Sequence, residues 1–433
     1  MHLAQRAYIL LMLTAVLAIA GIWSSDPSLA DLWRIPAVLL LLGLAYEGFF
    51  MRKVMMTADI ESVPRVFLGR EQRAAFAFRN ESRRTFAVEY APVTPVGVDS
   101  LGTETRKIMA AAGDIERDPF TLLATRLGPL TWPAVPARLR GPLGLAWWAR
   151  EFQPSLQIAV APDTFRTAPG RPRGNPSGFR PRRTAGAGSE LHQLRGYVPG
   201  DPPARIDWKA TARSRRLVTR EFSEDQHLDV LIAIDAGRFS RVRAGRLDRF
   251  GLYANVAARF AEIVTPNDDR IGMVVFADRP LAVCPPDRGL SAVIRIRSAL
   301  ERLSVQPAES DPLAAAVRIR GMLKHRGLVV LLTDLDDASV ADQLVRAVRL
   351  LSPPHLVVVA GAHSDEISAL ARAESRDWKD PWISLAAEEH ETRAESQRAL
   401  LRRLGAPVIA ASEALLEQRV LGEYESLRRS RRI

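Results

Sequence analysis

Val230-Leu231-Ile232-Ala233-Ile234-Asp235 is an apolar, strand-forming run that ends in an acid, and the sequence downstream repeats the pattern. Ile271–Phe276, Leu328–Leu332, Leu356–Val359 and a short run at Val408–Ala410 are further strands of this kind. Helical stretches fill the intervals: Leu247–Ile263, Leu290–Leu303, Leu313–Leu323, Val340–Leu351, Thr392–Leu404 and a last one from Glu413. Strands alternating with amphipathic helices predict a mostly parallel sheet covered on both faces, an α/β fold of the doubly wound, Rossmann type. Leu281–Cys284 fits an extra edge strand paired antiparallel.

In such sheets ligands bind beyond the carboxyl ends of the strands, where the strand order reverses and the loops splay into a crevice. Asp235 and Asp334 both follow strands at that end, and Ser310, just before the Asp311–Leu323 helix, can join them. Two carboxylates and a hydroxyl make a candidate hard-cation site. The plainer role for both acids is to accept backbone N–H bonds in loops and at helix starts.

Working back toward the N-terminus, residues 166–190 are rich in Arg, Pro and Gly without an apolar period, and read as a basic linker ahead of the α/β domain at 191–433. Residues 57–165 carry short runs suited to strands, among them Val66–Leu68, Ala74–Phe78, Phe86–Tyr90 and Thr131–Leu139, punctuated by Gly, Pro and Asn. That predicts a small β-sandwich-like domain. Residues 1–56 hold two apolar stretches, Ala7–Trp23 and Leu32–Met51, each near the roughly 20 residues needed to cross a hydrocarbon core. Pro36 lies near the start of the second and Glu47 near its end, where an interfacial position is expected. The connecting Ser24–Asp31 has two Asp and no Lys or Arg, whereas Arg6 precedes the pair and Arg52 and Lys53 follow it. The positive-inside rule then puts both ends in the cytoplasm, as a multi-pass anchor in a bacterial inner membrane. A signal peptide is the rival reading of the first stretch, through Ala18, Ala20 and Gly21.

A chain of 433 residues exceeds one ordinary core. The formal charge of +11 permits attraction to anionic lipid, nucleic acid or acidic protein without choosing among them. The single cysteine, Cys284, cannot form an internal disulfide. No GxxxxGK[ST] loop, GxSxG elbow, HExxH motif or Cys/His cluster is present, and the histidines are scattered, so no catalytic constellation is visible. The arginines at 428, 429, 431 and 432 read as a solvated end.

Arg195-Gly196-Tyr197-Val198-Pro199-Gly200-Asp201 is followed by Arg205-Ile206-Asp207-Trp208-Lys209-Ala210-Thr211-Ala212-Arg213, then Ile234-Asp235-Ala236-Gly237-Arg238 and Asp269–Phe276; Arg140-Gly141-Pro142-Leu143-Gly144-Leu145 lies upstream. In these motifs the chain resembles the Domain of Unknown Function 58 family, bacterial von Willebrand factor A-like proteins associated with MoxR-type AAA+ ATPases. The resemblance implies a von Willebrand factor A-like domain, a MoxR-type ATPase and a client protein as partners, and no activity of its own. It also implies a metal site of pattern Asp-x-Ser-x-Ser with a Thr and a second Asp. Asp235 and Asp334 match the acids and Ser310 can replace the Thr, but Gly237 and Phe239 stand where the two serines belong. Three side-chain ligands for Mg²⁺ remain, no other cofactor is expected, and affinity should suffer because Mg²⁺ wants six oxygens.

Around Trp208 the residues Gly200, Asp201, Arg205, Asp207, Lys209 and Arg213 form a candidate partner-binding block. Arginine forks bind carboxylates bidentately, which suits an acidic partner. The alternatives are that Trp208 plugs a domain junction and that the acids and arginines tie the segment to the sheet. Three functions follow in order: a membrane-tethered interaction module; a metal-dependent hydrolase using Asp235, Ser310 and Asp334, for which no base or nucleophile accompanies the site; and a nucleic-acid-binding membrane protein. The last is not expected, because Phe179 alone offers stacking within the basic linker.

Overall fold

Gln5–Trp23 (α1) and Arg34–Arg52 (α2) are helices of 19 residues each, long and apolar enough to cross a membrane. They belong to a computed structural model that describes residues 2–23, 31–62, 65–100, 104–163, 185–186, 190–223, 228–335, 338–363 and 365–429. Contacts divide the chain into two units, residues 1–163 with 300–304, and residues 164–299 with 305–433. Most of the basic segment 166–190 lies outside the described residues, as do Arg431 and Arg432.

In the first unit the β-rich part grips both near ends of the helix pair. His2–Leu3 (β1) adds as an antiparallel strand to Ala146–Phe152 (β11), and the Ala4 N–H donates to Leu145 O at 2.7 Å. At the far end of α2, Arg150 donates to the carbonyls of Met51 and Val54 at 2.5 and 3.1 Å. Glu47, near the end of α2, is fully buried against this part. Its carboxylate accepts the backbone N–H groups of Leu143, Leu145 and Ala146 at 2.9, 3.0 and 3.0 Å. The turn it holds is thereby pressed on the helices, with Leu145 packed among Ala7 and Leu40. Gly141 permits this approach, since a Cβ there would lie 2.2 Å from Glu47 Oε2. Arg34, at the opposite end of the pair, forms an exposed ion pair with Asp31 at 2.9 Å.

The remaining strands of this unit are Met56–Ser62 (β2), Val66–Phe67 (β3), Glu71–Asn80 (β4), Phe86–Tyr90 (β5), Val98–Ser100 (β6), Arg106–Ala110 (β7), Ile115–Ala124 (β8), Gly128–Thr131 (β9), Val135–Arg140 (β10) and Gln157–Ala161 (β12). They form sheets of order β1-β11-β10-β5-β7, β2-β4-β8-β6 and β3-β12-β9. The first two face each other across an aromatic core: Phe76 and Phe78 of β4 meet Tyr90 of β5 at 5.2 and 4.7 Å between ring centroids. The single strand expected over Thr131–Leu139 is two, β9 and β10, which join different sheets.

The second unit holds Ala185–Gly186 (β13), Glu190–Gly196 (β14), Trp208–Ser214 (α3), Val218–Ser223 (β15), Asp229–Asp235 (β16), Arg243–Ala244 (β17), Leu247–Asp248 (β18), Arg249–Val264 (α4), Arg270–Phe276 (β19), Pro280–Asp287 (β20), Gly289–Leu300 (α5), Pro312–Met322 (α6), Gly327–Leu332 (β21), Ala338–Leu351 (α7), Leu356–Ala362 (β22), Asp365–Ala371 (α8), Asp380–Arg403 (α9), Val408–Ala411 (β23) and Glu413–Arg429 (α10). Six strands form one sheet in the order β20-β19-β16-β21-β22-β23, parallel except for the antiparallel edge strand β20. Counted along the chain that order is 3-2-1-4-5-6, so the winding reverses between β16 and β21. Leu231, Ala233, Val329 and Leu331 face α6 and α7, where Ala315, Ile319, Ala347 and Val348 complete a fully buried layer. The alternate residues Val230, Ile232 and Ile234 turn to the other face by the two-residue strand period. There α4 and α10 pack, with Phe260 and Tyr424 at 5.1 Å.

Candidate functional site

The reversal in strand order puts the ends of β16 and β21 side by side, Ile234 in register with Leu332. Asp235 and Thr333 therefore project together, and Thr333 Oγ1 donates to Asp235 Oδ2 at 2.7 Å. Ser310, delivered by the loop before α6, donates to Asp235 Oδ1 at 2.5 Å, and the Gly237 N–H reaches the same oxygen at 2.8 Å. Asp334 forms a buried ion pair with Arg249, the first residue of α4. Of the three residues singled out for a cation, Asp235 and Ser310 are thus hydrogen-bonded to each other, while Asp334, next in the chain to Thr333, turns to Arg249; Asp235 is 2% and Asp334 8% exposed. Thr333 and Arg249 are the partners that the sequence reading did not name.

Neither of those two is conspicuous in the sequence, though Arg249 leaves a trace. A cation in the first turn opposes the helix dipole, so it calls for an acid elsewhere. Asp248 does not supply that service alone, because its carboxylate caps α4 by accepting the Gly251 N–H at 2.8 Å.

A Mg²⁺ ion does not fit these residues well. Asp235 already receives three donors, and a guanidinium faces Asp334. A side chain at Gly237 has no room to serve as a ligand, since its Cβ would lie 2.1 Å from Ser310 Oγ. Phe239 stays hydrocarbon, covered by the Arg238 guanidinium at 4.7 Å. Ser240, one residue on, spends its hydroxyl on the Asp235 carbonyl at 3.0 Å.

The second cluster is the excursion between β14 and β15, two antiparallel strands that the sequence reading left unassigned. Asp201 is held bidentately by Arg195, both contacts at 2.8 Å, and accepts the Val198 N–H at 3.0 Å. The Arg195 guanidinium, helped by that N–H, holds the Asp201 carboxyl below its ordinary pKa. Gly200 supplies the turn between them with φ of +110°, a conformation that costs a side chain. Asp207 caps α3 by accepting the Ala210 N–H at 3.0 Å and pairs with Arg220 at 3.0 Å. The Ala210 N–H first, and Arg220 after it, lower its pKa.

Both acids of the block are thus consumed inside it. The cations are not: Arg205, Lys209, Arg213, Arg215 and Arg216 make no ion pair among the described residues, and all but Arg205 are exposed. Trp208 is 66% exposed at their centre, with Leu194, Val198 and Leu217 also exposed on this excursion. Residues 193–402 match the family described as "Protein of unknown function DUF58".

This segment belongs to the DUF58 family. An uncharacterized protein of Mycobacterium tuberculosis is 23% identical over 151 residues, 34% of this chain and 48% of that protein. The chain spans about half the length of the curated relatives it matches. Among solved structures, the conserved hypothetical protein BatB from Bacteroides thetaiotaomicron aligns with a TM-score of 0.31 and 14% identity, over 46% of this chain and 97% of that one. An aerotolerance-related membrane protein from Bacteroides fragilis aligns with a TM-score of 0.27 and 17% identity, over 41% and 98%. The crevice and the Trp208 block both lie within the DUF58 segment.

Proposed function

We propose that this chain is a membrane-tethered protein-interaction module, whose DUF58 segment is a von Willebrand factor A-like scaffold working with a MoxR-type AAA+ ATPase on a client complex. The observation that carries the docking reading is the α3 excursion. A partly exposed salt-bridge framework holds up an exposed tryptophan ringed by cations that make no ion pair among the described residues. Interfaces concentrate their energy in Trp and Arg, and guanidinium forks select carboxylates. The occupant is an acidic surface of the partner protein.

In this reading the ATPase supplies the energy. The anchor reading rests on α1 and α2, whose near ends are both tied to the β-rich part of the first unit. A hairpin with its body on the cytoplasmic side of the inner membrane satisfies that arrangement and the charge asymmetry together.

The test is co-purification of the ATPase from detergent-solubilised membranes. Replacing Arg205 and Arg213 by Ala should weaken association on the order of tenfold while the melting curve is kept. Undiminished recovery of the partner by the double variant discards the docking surface.

A further inference from the structure

We infer that Arg249 is a tethered cation taking the place of a metal ion at the ends of β16 and β21, so that the buried carboxylates there are met by one guanidinium and by hydroxyl and N–H donors without metal. Two buried carboxylates at one strand-end crevice cannot both stay ionised away from water unless positive charge or donors meet them. Asp235 is met by the hydroxyls of Ser310 and Thr333 and by the Gly237 N–H; Asp334 is met by the Arg249 guanidinium. Arg249 itself is buried, 4% exposed, and starts a helix whose dipole disfavours it, so its placement is explained by Asp334 rather than by α4.

The consequence reaches docking. A partner's acid cannot complete a metal shell here, which leaves recognition of acidic groups to exposed cations such as those around Trp208.

The crevice retains what a cation needs once the guanidinium is gone: two carboxylates and two hydroxyls, Asp235, Asp334, Ser310 and Thr333. Charge replacement therefore tests the inference. Full-length protein in detergent is melted with EDTA and with millimolar Mg²⁺ or Mn²⁺, as wild type, Arg249→Met and Arg249→Met/Asp334→Asn. Wild type should melt at the same temperature in all three. Arg249→Met should fall by roughly 5–15 °C in EDTA, as expected for an orphaned buried charge, and recover about half or more of that loss with a divalent ion. The double variant should fold, lie above the single variant in EDTA, and ignore metal.

A metal-dependent rise in the wild type overturns the inference. So does an Arg249→Met protein that melts like wild type in EDTA, or one that stays destabilised or unfolded with every ion while the double variant folds. A double variant as unstable as the single one also overturns it, since the defect would then lie in packing rather than charge.

Discussion

Glu47 shows how one side chain decides more than its element does. An acid in an apolar helix is legible in the sequence as an exception, but its three N–H donors lie 96 to 99 positions away and carry no pattern that points back. Glu47→Ala leaves those donors buried without an acceptor, and each such group costs about 1–3 kcal/mol. We expect a loss of about 3 kcal/mol or more in the first unit, read as a lower melting temperature in detergent; an unchanged melt contradicts the clamp. Asp235 and Asp334 teach the complementary lesson. Their place at strand ends could be read directly, whereas Arg249 and Thr333 could not, because ion pairing and hydroxyl donation are settled by packing between distant segments.

At the scale of elements, continuous apolar runs announce themselves. β16, β19, β21 and β22 fall where the alternation of strand and helix puts them, since strands buried on both faces need hydrophobic residues at every position. β14 and β15 carry no such run, because Gln193, Arg195 and Arg220 give them a half-polar character. The helix before β23 starts at Asp380 rather than Thr392: Ala387 and Ala394 are buried in an otherwise polar helix, too sparse a stripe to announce its first turns. For α3, a seven-residue helix, the cap matters most. Asp207→Ala should cost about 1 kcal/mol and quicken amide exchange across 208–214, with the six-stranded sheet unaffected. Equal exchange in the variant would contradict the capping role.

Across the whole molecule, carboxylates held by donors set the response to pH. Arg195 lowers the pKa of Asp201, the Ala210 N–H that of Asp207, and Arg402 that of Glu395. Each favours folding above the ordinary carboxylate pKa of about 4, and each loses that contribution as pH falls through its lower folded value. Melting temperature should hold from pH 7 to about 5 and decline below about 4; a rise on acidification would contradict the sign. The basic balance of the chain, +11, predicts that partner binding weakens with salt, as exposed charges are screened beyond about 8 Å at physiological ionic strength.

The most direct test of the account places a photoreactive benzoylphenylalanine at Ala212, an exposed position on α3 that leaves Trp208 and every cation intact. Irradiation of native membranes should give a protein adduct, and its yield should fall when Arg205 and Arg213 are also replaced by Ala and when salt is raised. An adduct indifferent to both changes, or the absence of any protein adduct, contradicts the claim that this basic platform docks an acidic partner.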